Sequence, residues 1–252
     1  MDKNRAGKRI FSSKLNSKYT FESFVVGQCN LAAFEAARSI VFLPTHKYNP
    51  VYIHGPTGVG KTHLLHAAGN YLASLHANMN VALISCELFA GLLVEEIRDR
   101  DINTFIDLFY AVDFLMVDDL HYLDGKDRTQ EEVSYAIKSF IASGKQVLLS
   151  SDCPPQALAS LGMGSFKKGI SVLVKELDFE TRLGILKKKV EEKQYTLSDD
   201  MLSLIAGKCG GGAFELEGIL NRLIAISSME RRPFTLEVIN ETVRLFCGLK
   251  SN

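Results

Sequence analysis

Residues 55–63 read Gly55-Pro56-Thr57-Gly58-Val59-Gly60-Lys61-Thr62-His63 and follow directly on the apolar run Val51-Tyr52-Ile53-His54. Residue types in that order hold a polyphosphate. Three glycines let the backbone turn tightly with its N–H groups facing inward, and the helix that follows presents the positive end of its dipole to an anion. Lys61 adds a point charge toward the β- and γ-phosphates, and the Thr62 hydroxyl is placed to ligate a magnesium ion. The competing reading is a glycine-rich turn that matches by accident. The strand-like run before it and the helix-like Lys61–Leu75 after it stand against that. A nucleotide with Mg2+ is the expected ligand.

A second group of residues answers the first. Phe114-Leu115-Met116-Val117 followed by Asp118-Asp119 reads as a buried parallel strand ending in two carboxylates, at the edge where ligands of open α/β sheets collect. This is a Walker B strand end. Asp118 is placed to hold the magnesium directly or through water, and Asp119 to orient or deprotonate an attacking water. Two Asp after an apolar run would by themselves more often be a solvated strand end. Beside the glycine-rich loop, the metal reading is favoured.

The elements that must position these groups alternate. Short apolar runs recur at Val51–His54, Val81–Ser85, Phe114–Asp118, Gln146–Ser150 and Ile170–Val174. Helix-like segments lie around them at Asn30–Phe42, Lys61–Leu75, Glu87–Arg98, Asn103–Tyr110, Thr129–Ser143 and Pro155–Leu161. Such alternation demands right-handed crossovers and a mostly parallel sheet covered on both faces, an α/β fold. Thr129 with Glu132 suggests a capping box. Beyond about Leu177 the strand signal stops and four amphipathic patterns follow, at Thr181–Gln194, Asp199–Lys208, Ala213–Ser228 and Leu236–Phe246. Gly210-Gly211-Gly212 reads as a helix-to-helix hinge. The expected organisation is a basic lead-in over 1–14, an α/β nucleotide-binding domain over 15–177 and a helical lid over 178–252.

Composition narrows the class. The chain has 252 residues, 46% of them hydrophobic, and a formal net charge of zero, so it can bury a substantial core and no global charge advertises nucleic acid or an anionic membrane. Locally, residues 1–18 carry Lys3, Arg5, Lys8, Arg9, Lys14 and Lys18 against Asp2 alone, which reads as a solvated tail. Five widely spaced cysteines with no CxxC pair argue for reduced thiols and a cytosolic compartment. No apolar stretch approaches the ~18 residues of a membrane span, and the charged N-terminus lacks the apolar block of a secretory signal. His63 and His66 share a helical face, but with no third ligand near in sequence, packing is favoured over metal.

Several blocks, in order, resemble one family. Leu15-Asn16-Ser17-Lys18-Tyr19-Thr20-Phe21-Glu22-Ser23-Phe24-Val25-Val26-Gly27, Tyr48-Asn49-Pro50, Gly58 to Ala67, Gly125-Lys126-Asp127-Arg128-Thr129-Gln130-Glu131-Glu132 and Glu215-Leu216-Glu217-Gly218-Ile219-Leu220-Asn221-Arg222-Leu223 are similar to the AAA+ module of the bacterial replication initiator DnaA, from about Leu15 to Phe246. The resemblance implies a P-loop AAA+ fold: a five-stranded parallel sheet of order 5-1-4-3-2 and a three-helix C-terminal lid, with ATP or ADP between them. It implies that Val25 and Val26 flank the adenine, and that Asp152 is the sensor I residue on the γ-phosphate side. Ordinary core packing is the other reading of the two valines. Partners would be the initiator itself or other replication proteins, with self-assembly through AAA+ interfaces.

Departures from the family's pattern are informative. Ser165 stands where relatives carry the arginine finger, and Phe214 where the lid supplies the sensor II arginine. A finger is worth ~10³–10⁵ in rate, so nucleotide binding with very slow hydrolysis is expected. Lys167, Lys168 or Arg222 could substitute, but nothing in the spacing shows it. Between Glu95 and Asp113, six carboxylates face Arg98 and Arg100 only, a balance that repels a phosphate backbone. Ile106 and Tyr110 occupy positions that are basic in relatives. DNA binding is therefore expected to be weak or indirect. Lys126 and Arg128 are kept, and either face a central channel or sit on a solvated loop. The sequence ends at Asn252, after the lid, so the resemblance leaves an excised piece of an initiator or a free-standing regulatory relative.

Three functions follow. The first is an ATP-binding module of replication initiation or its control, with ATP as a conformational ligand. The second is an active ATPase or helicase loader that remodels single-stranded DNA or a DNA-bound partner, favoured by Lys61, Asp118 and Asp119 and opposed by the missing arginines. The third, a scaffold without nucleotide, leaves the loop chemistry unexplained.

Overall fold

The computed structural model describes residues 15–42, 48–99, 109, 111–158, 169–230 and 233–248. The chain divides into two compact units. The first contains the described residues up to Phe24, Ala32–Pro56 and Lys61–Val174; the second contains Val25–Leu31, Thr57–Gly60 and the residues from Lys175 onward.

In the first unit, helix α1 (Leu31–Phe42) precedes strand β1 (Val51–His54), helix α2 (Lys61–Leu75), strand β2 (Val81–Ser85), helix α3 (Cys86–Asp99) and strand β3 (Phe114–Asp118). A 3₁₀ turn at Leu120–Leu123 leads to helix α4 (Asp127–Ala142), strand β4 (Gln146–Ser151), a second 3₁₀ turn at Pro155–Ala157 and strand β5 (Ile170–Leu173). The sheet runs β2-β3-β4-β1-β5, all parallel, which is the order the family resemblance implied.

β1, β3 and β4 are almost wholly buried because helices cover both faces, as a parallel sheet requires, and in β4 the buried run ends on Ser150 and Ser151. One side of the core gathers Tyr52, Leu115, Val117, Val147 and Leu149 with Phe89, Ile137 and Phe140 from the helices. Cys86 lies in the same apolar cluster, where burial pushes its thiol up to about 12 and leaves it inert near neutral pH. Tyr52 is fully buried, and its hydroxyl donates to the Cys153 carbonyl at 3.0 Å, so the ring fills the core without an unpaired polar tip.

Asn49, also buried, pins the entry of β4 beside β1. Its side chain donates to the Lys145 carbonyl at 2.6 Å and accepts from Val147 N–H at 3.0 Å.

The second unit holds four helices among its described residues: α5 (Phe179–Glu192), α6 (Asp199–Lys208), α7 (Ala213–Glu230) and α8 (Leu236–Gly248). The hydrophobic periodicity predicted four; the three-helix lid drawn from the resemblance is one short. Leu186, Val190, Leu202, Ile205, Leu216, Ile219, Leu220, Leu223, Val238 and Ile239 form their common core. Asp178 and Ser198 cap α5 and α6, accepting from Thr181 N–H at 2.8 Å and Met201 N–H at 3.4 Å.

Two local expectations change. α4 begins at Asp127, two residues before Thr129, so Thr129 and Glu132 do not form a capping box; Lys126 occupies the cap position and makes no side-chain cap bond. Gln130 instead anchors that turn, donating to the Leu123 carbonyl at 2.9 Å. The Pro155–Leu161 segment is described only as the 3₁₀ turn Pro155–Ala157, and the Asn103–Tyr110 helix lies outside the described residues except Phe109.

Candidate functional site

The carboxyl ends of β1, β4 and β3 lie side by side in the first unit, and the charged groups predicted from sequence meet there. Lys61, the first residue of α2, is only 5% exposed. Its ammonium donates to the Gly55 and Pro56 carbonyls, both at 2.8 Å, and pairs with the Asp152 carboxylate at 2.6 Å. The lysine is thus held at the mouth of the loop it follows. Gly55 opens that loop at φ +152, where a Cβ would stand 2.1 Å from the Val174 carbonyl oxygen, so only glycine fits.

Asp118 ends β3 and is 8% exposed. The fully buried Ser150 hydroxyl donates to its carboxylate and accepts from Asp119 N–H at 3.2 Å, so one oxygen on β4 ties the metal-binding candidate to its neighbour. Asp119 has left-handed backbone angles, φ 61 and ψ 45, and its side chain caps nothing. Partial burial first, and then the adjacent Asp118 carboxylate, raise its carboxyl above the ordinary carboxylate range, with His121 opposing. His121 Nδ1 accepts from Asp152 N–H at 3.4 Å and lies 4.0 Å from Asp119 Oδ1. Behind them, burial and then the Lys61 charge lower the His54 pKa, which keeps its imidazole neutral.

Among the described residues, a carboxylate oxygen each from Asp119 and Asp152 and a ring nitrogen of His121 lie within 4.8 Å of one another, with Asp118 preceding Asp119 at the end of β3 and Thr62 exposed on α2 after Lys61. The carboxylate and hydroxyl oxygens here are hard donors of the kind Mg2+ takes.

His63 and His66 turn elsewhere. The His63 ring stacks on Tyr19 at 4.7 Å and lies 3.1 Å from Ser23 Oγ and 3.0 Å from the Thr20 carbonyl. His66 Nδ1 accepts from Asn16 N–H at 3.1 Å, and Asn70 donates to the Asn16 and Tyr19 carbonyls, both at 2.8 Å. This face of α2 fastens the segment Leu15–Phe24, so what His63 can offer a phosphate is its backbone N–H.

In the second unit, Val25 and Val26 line a cavity of about 530 Å³ together with Gln28, Asp178 and Thr181. Asn30 shapes its wall by donating to the Val25 carbonyl at 3.0 Å and accepting from Gly27 N–H at 2.8 Å. Thr57, Gly58, Val59 and Gly60, the tip of the loop, belong to this unit, with Gly58 and Gly60 at φ +83 and +102. Phe214 is 82% exposed at the start of α7. Ser165, Lys167, Lys168, Ile106 and Tyr110 lie outside the described residues, as do the side chains of Glu95 and Glu96. Lys126 and Arg128 are exposed, and the Lys126 ammonium sits 3.1 Å from the Tyr122 ring centroid.

Ser150 and His121 were not predicted. The signal for Ser150 was present once the strand order was in hand, since pairing Val117 with Leu149 puts Ser150 beside Asp118. Nothing in the local sequence marks His121, which reaches the site only through the tight turn after Asp119.

Comparison with known proteins agrees with this geometry. The family model for the bacterial DnaA ATPase domain matches residues 15–172. The chromosomal replication initiator protein DnaA of Deinococcus radiodurans is 40% identical over 224 residues, covering 88% of this chain and 48% of that protein. The crystal structure of domain III of the Thermotoga maritima replication initiation protein DnaA superposes with a TM-score of 0.85 at 31% identity, covering 93% of this chain and 99% of that one. A replication initiator DnaA bound to AMPPCP and single-stranded DNA gives 0.74 at 33% identity, covering 86% and 69%. The chain spans about half the length of the curated relatives it matches. No helix among the described residues is long and apolar enough to cross a membrane. Because the family model covers more than half of the chain, and the domain III structure superposes along nearly its whole length, this chain belongs to the DnaA family, as an AAA+ ATPase domain.

Proposed function

We propose that this domain is an ATP-binding switch that acts in the initiation of chromosomal replication or in its control, binding Mg-ATP well and hydrolysing it slowly. One observation carries the reading: the buried Lys61 ammonium is held at the loop mouth by Gly55, Pro56 and Asp152, beside the paired Asp118 and Asp119. In this assignment the backbone of Gly55–Thr62 and Lys61 grip the phosphates, and Thr62 and Asp118 hold Mg2+. Asp119 orients the attacking water and Asp152 faces the γ-phosphate, while Val25 and Val26 take the base. Magnesium, when bound, neutralises charge between the phosphates. Ser150 keeps Asp118 and the Asp119 backbone fixed for that task.

Slow turnover rests on Phe214 and Ser165 standing where the family's pattern has cations. Partners are the initiator or other replication proteins, met through AAA+ surfaces and further copies of the chain, with DNA contact weak or indirect. The intact Lys61, Asp118 and Asp119 also suit a second reading, an active remodeller of single-stranded DNA or of a DNA-bound partner.

Calorimetry with ATP and ADP, beside a turnover assay, tests the proposal. Wild type binds both nucleotides, Lys61→Ala loses most of that affinity, and hydrolysis by the isolated protein stays well below ~1 s⁻¹. Absence of binding by folded wild type refutes the switch. Faster turnover selects the remodeller.

A further inference from the structure

The glycine triplet between α6 and α7 reads in sequence as a hinge, yet its three members have different surroundings. A Cβ on Gly210 would meet nothing within 4 Å. One on Gly211 would first meet the side chain of Glu215, which can move away. One on Gly212 would stand 2.7 Å from both the carbonyl carbon and the oxygen of Gly58, and 2.8 Å from its Cα. The contact is backbone against backbone, so no rotamer change can relieve it. Next to it, Ala213 N–H donates to the Gly58 carbonyl at 2.8 Å. Ala213 is the first residue of α7, and an amide at that position has no partner inside its own helix. All of these residues lie within the second unit.

A trans peptide holds its C=O and N–H in one plane, pointing in opposite directions. Fixing the Gly58 carbonyl on Ala213 therefore fixes Val59 N–H on the opposite side, directed away from α7. In a phosphate-binding loop the backbone N–H groups are the ligands, and their common direction makes the anion cradle. We propose that Gly212 and Ala213 form a clasp that positions the phosphate loop, aiming the Val59 amide into the cradle and making the order of the loop tip and the seating of the α7 N-terminus one event. The inference rests on the nucleotide-binding reading above. Gly212 and Ala213 are positioning residues that touch the loop, not the nucleotide. Phe214, the next residue, offers no cation, and this backbone contact gives α7 a direct link to the loop.

The test is titration calorimetry of ATP and ADP with the full chain as wild type, Gly212→Ala and Gly210→Ala, each with its thermal midpoint. Wild type and Gly210→Ala bind alike, whereas Gly212→Ala binds both nucleotides about ten- to a hundredfold more weakly, the value of one amide hydrogen bond to a charged oxygen. Its midpoint falls below that of Gly210→Ala because the Cβ pushes the loop off α7, but a single cooperative melt is kept, so the weaker binding is read on folded protein. Equal affinity in Gly212→Ala and wild type overturns the clasp and leaves the switch intact. Wild type that binds neither nucleotide overturns both.

Hydrogen exchange on unmodified protein covers the case in which Gly212→Ala does not fold. The Ala213 amide is protected relative to that of Phe214, and its protection rises with ATP. An Ala213 amide that exchanges as fast as Phe214, with and without nucleotide, rejects the clasp.

Discussion

Asp119 combines a left-handed backbone with a carboxylate that caps no helix, and the two properties can be separated by substitution. An ordinary L-residue in the left-handed region costs about 1–2 kcal/mol, which Asp and Asn partly escape and glycine escapes entirely. Glycine gives back about 0.5–1 kcal/mol because its unfolded chain is freer. Asp119→Gly should therefore exceed Asp119→Ala by about 1 kcal/mol, or about 2–4 °C for a chain of this length.

The charge is read from a third variant. Asp119→Asn keeps the backbone tolerance and removes the ionised group. Since partial burial and Asp118 raise the Asp119 pKa, the folded protein binds that proton more tightly than the unfolded chain. Stability from this group is complete below the unfolded carboxylate value and falls as pH rises through the interval up to the folded value. Asp119→Asn should then melt above wild type at pH 7, and the gap should close near pH 4, about the ordinary carboxylate pKa. Calorimetric melts without nucleotide at the two pH values, with ATP turnover in parallel, measure all of this; turnover is lost in every variant. An alanine variant that melts with or above the glycine variant refutes the backbone argument. A gap between Asn and Asp that is the same at both pH values refutes the charge argument.

Ser150→Ala removes the hydroxyl shared by Asp118 and Asp119 and leaves the Asp119 amide without its acceptor; a loss of about 1–3 kcal/mol in a denaturant melt is expected, together with weaker Mg2+-dependent nucleotide binding. Asn49→Ala removes the side-chain bonds to the Lys145 carbonyl and from the Val147 amide at the start of β4 and should cost about 1–3 kcal/mol by the same measurement while the loop sequence is untouched. Asp178→Ala deletes the α5 cap at a cost of about 1 kcal/mol. The Thr181 backbone amide, which Asp178 accepts from, depresses its pKa, so the stability is present above the ordinary carboxylate pKa and lost as pH falls through the lower folded value; melts of variant and wild type should converge in acid. Phe214→Arg places a cation on an 82% exposed position and should raise single-turnover ATP hydrolysis by about tenfold or more; an unchanged rate removes the argument for slow turnover at that position.

Much of the fold was legible because its strands are short apolar runs bounded by turn residues. The runs at Val51–His54, Val81–Ser85 and Phe114–Asp118 and the helix Lys61–Leu75 appear with the predicted bounds, since burial on both faces leaves little room for a shifted boundary. The start of α4 was misplaced because a Thr and a Glu three residues apart carry the capping signature wherever they fall, and here the helix has already begun. Site residues that act through their own type and spacing, such as Lys61 and Asp118, could be read directly. Ser150 and Gly212 could not, since their roles come from neighbours about 30 and 150 residues away in sequence and depend on strand pairing and backbone approach.

β4 lies between β1 and β3 and carries Ser150, Ser151 and Asp152 at its end, so it acts as a ruler against which both halves of the phosphate site are measured. A slip of one residue along β1 and β3 would turn Ser150 off the Asp118 side and carry Asp152 away from Lys61 in the same movement. Misassembled molecules would accordingly be blind to nucleotide altogether, and no population with half a working site should accumulate during refolding.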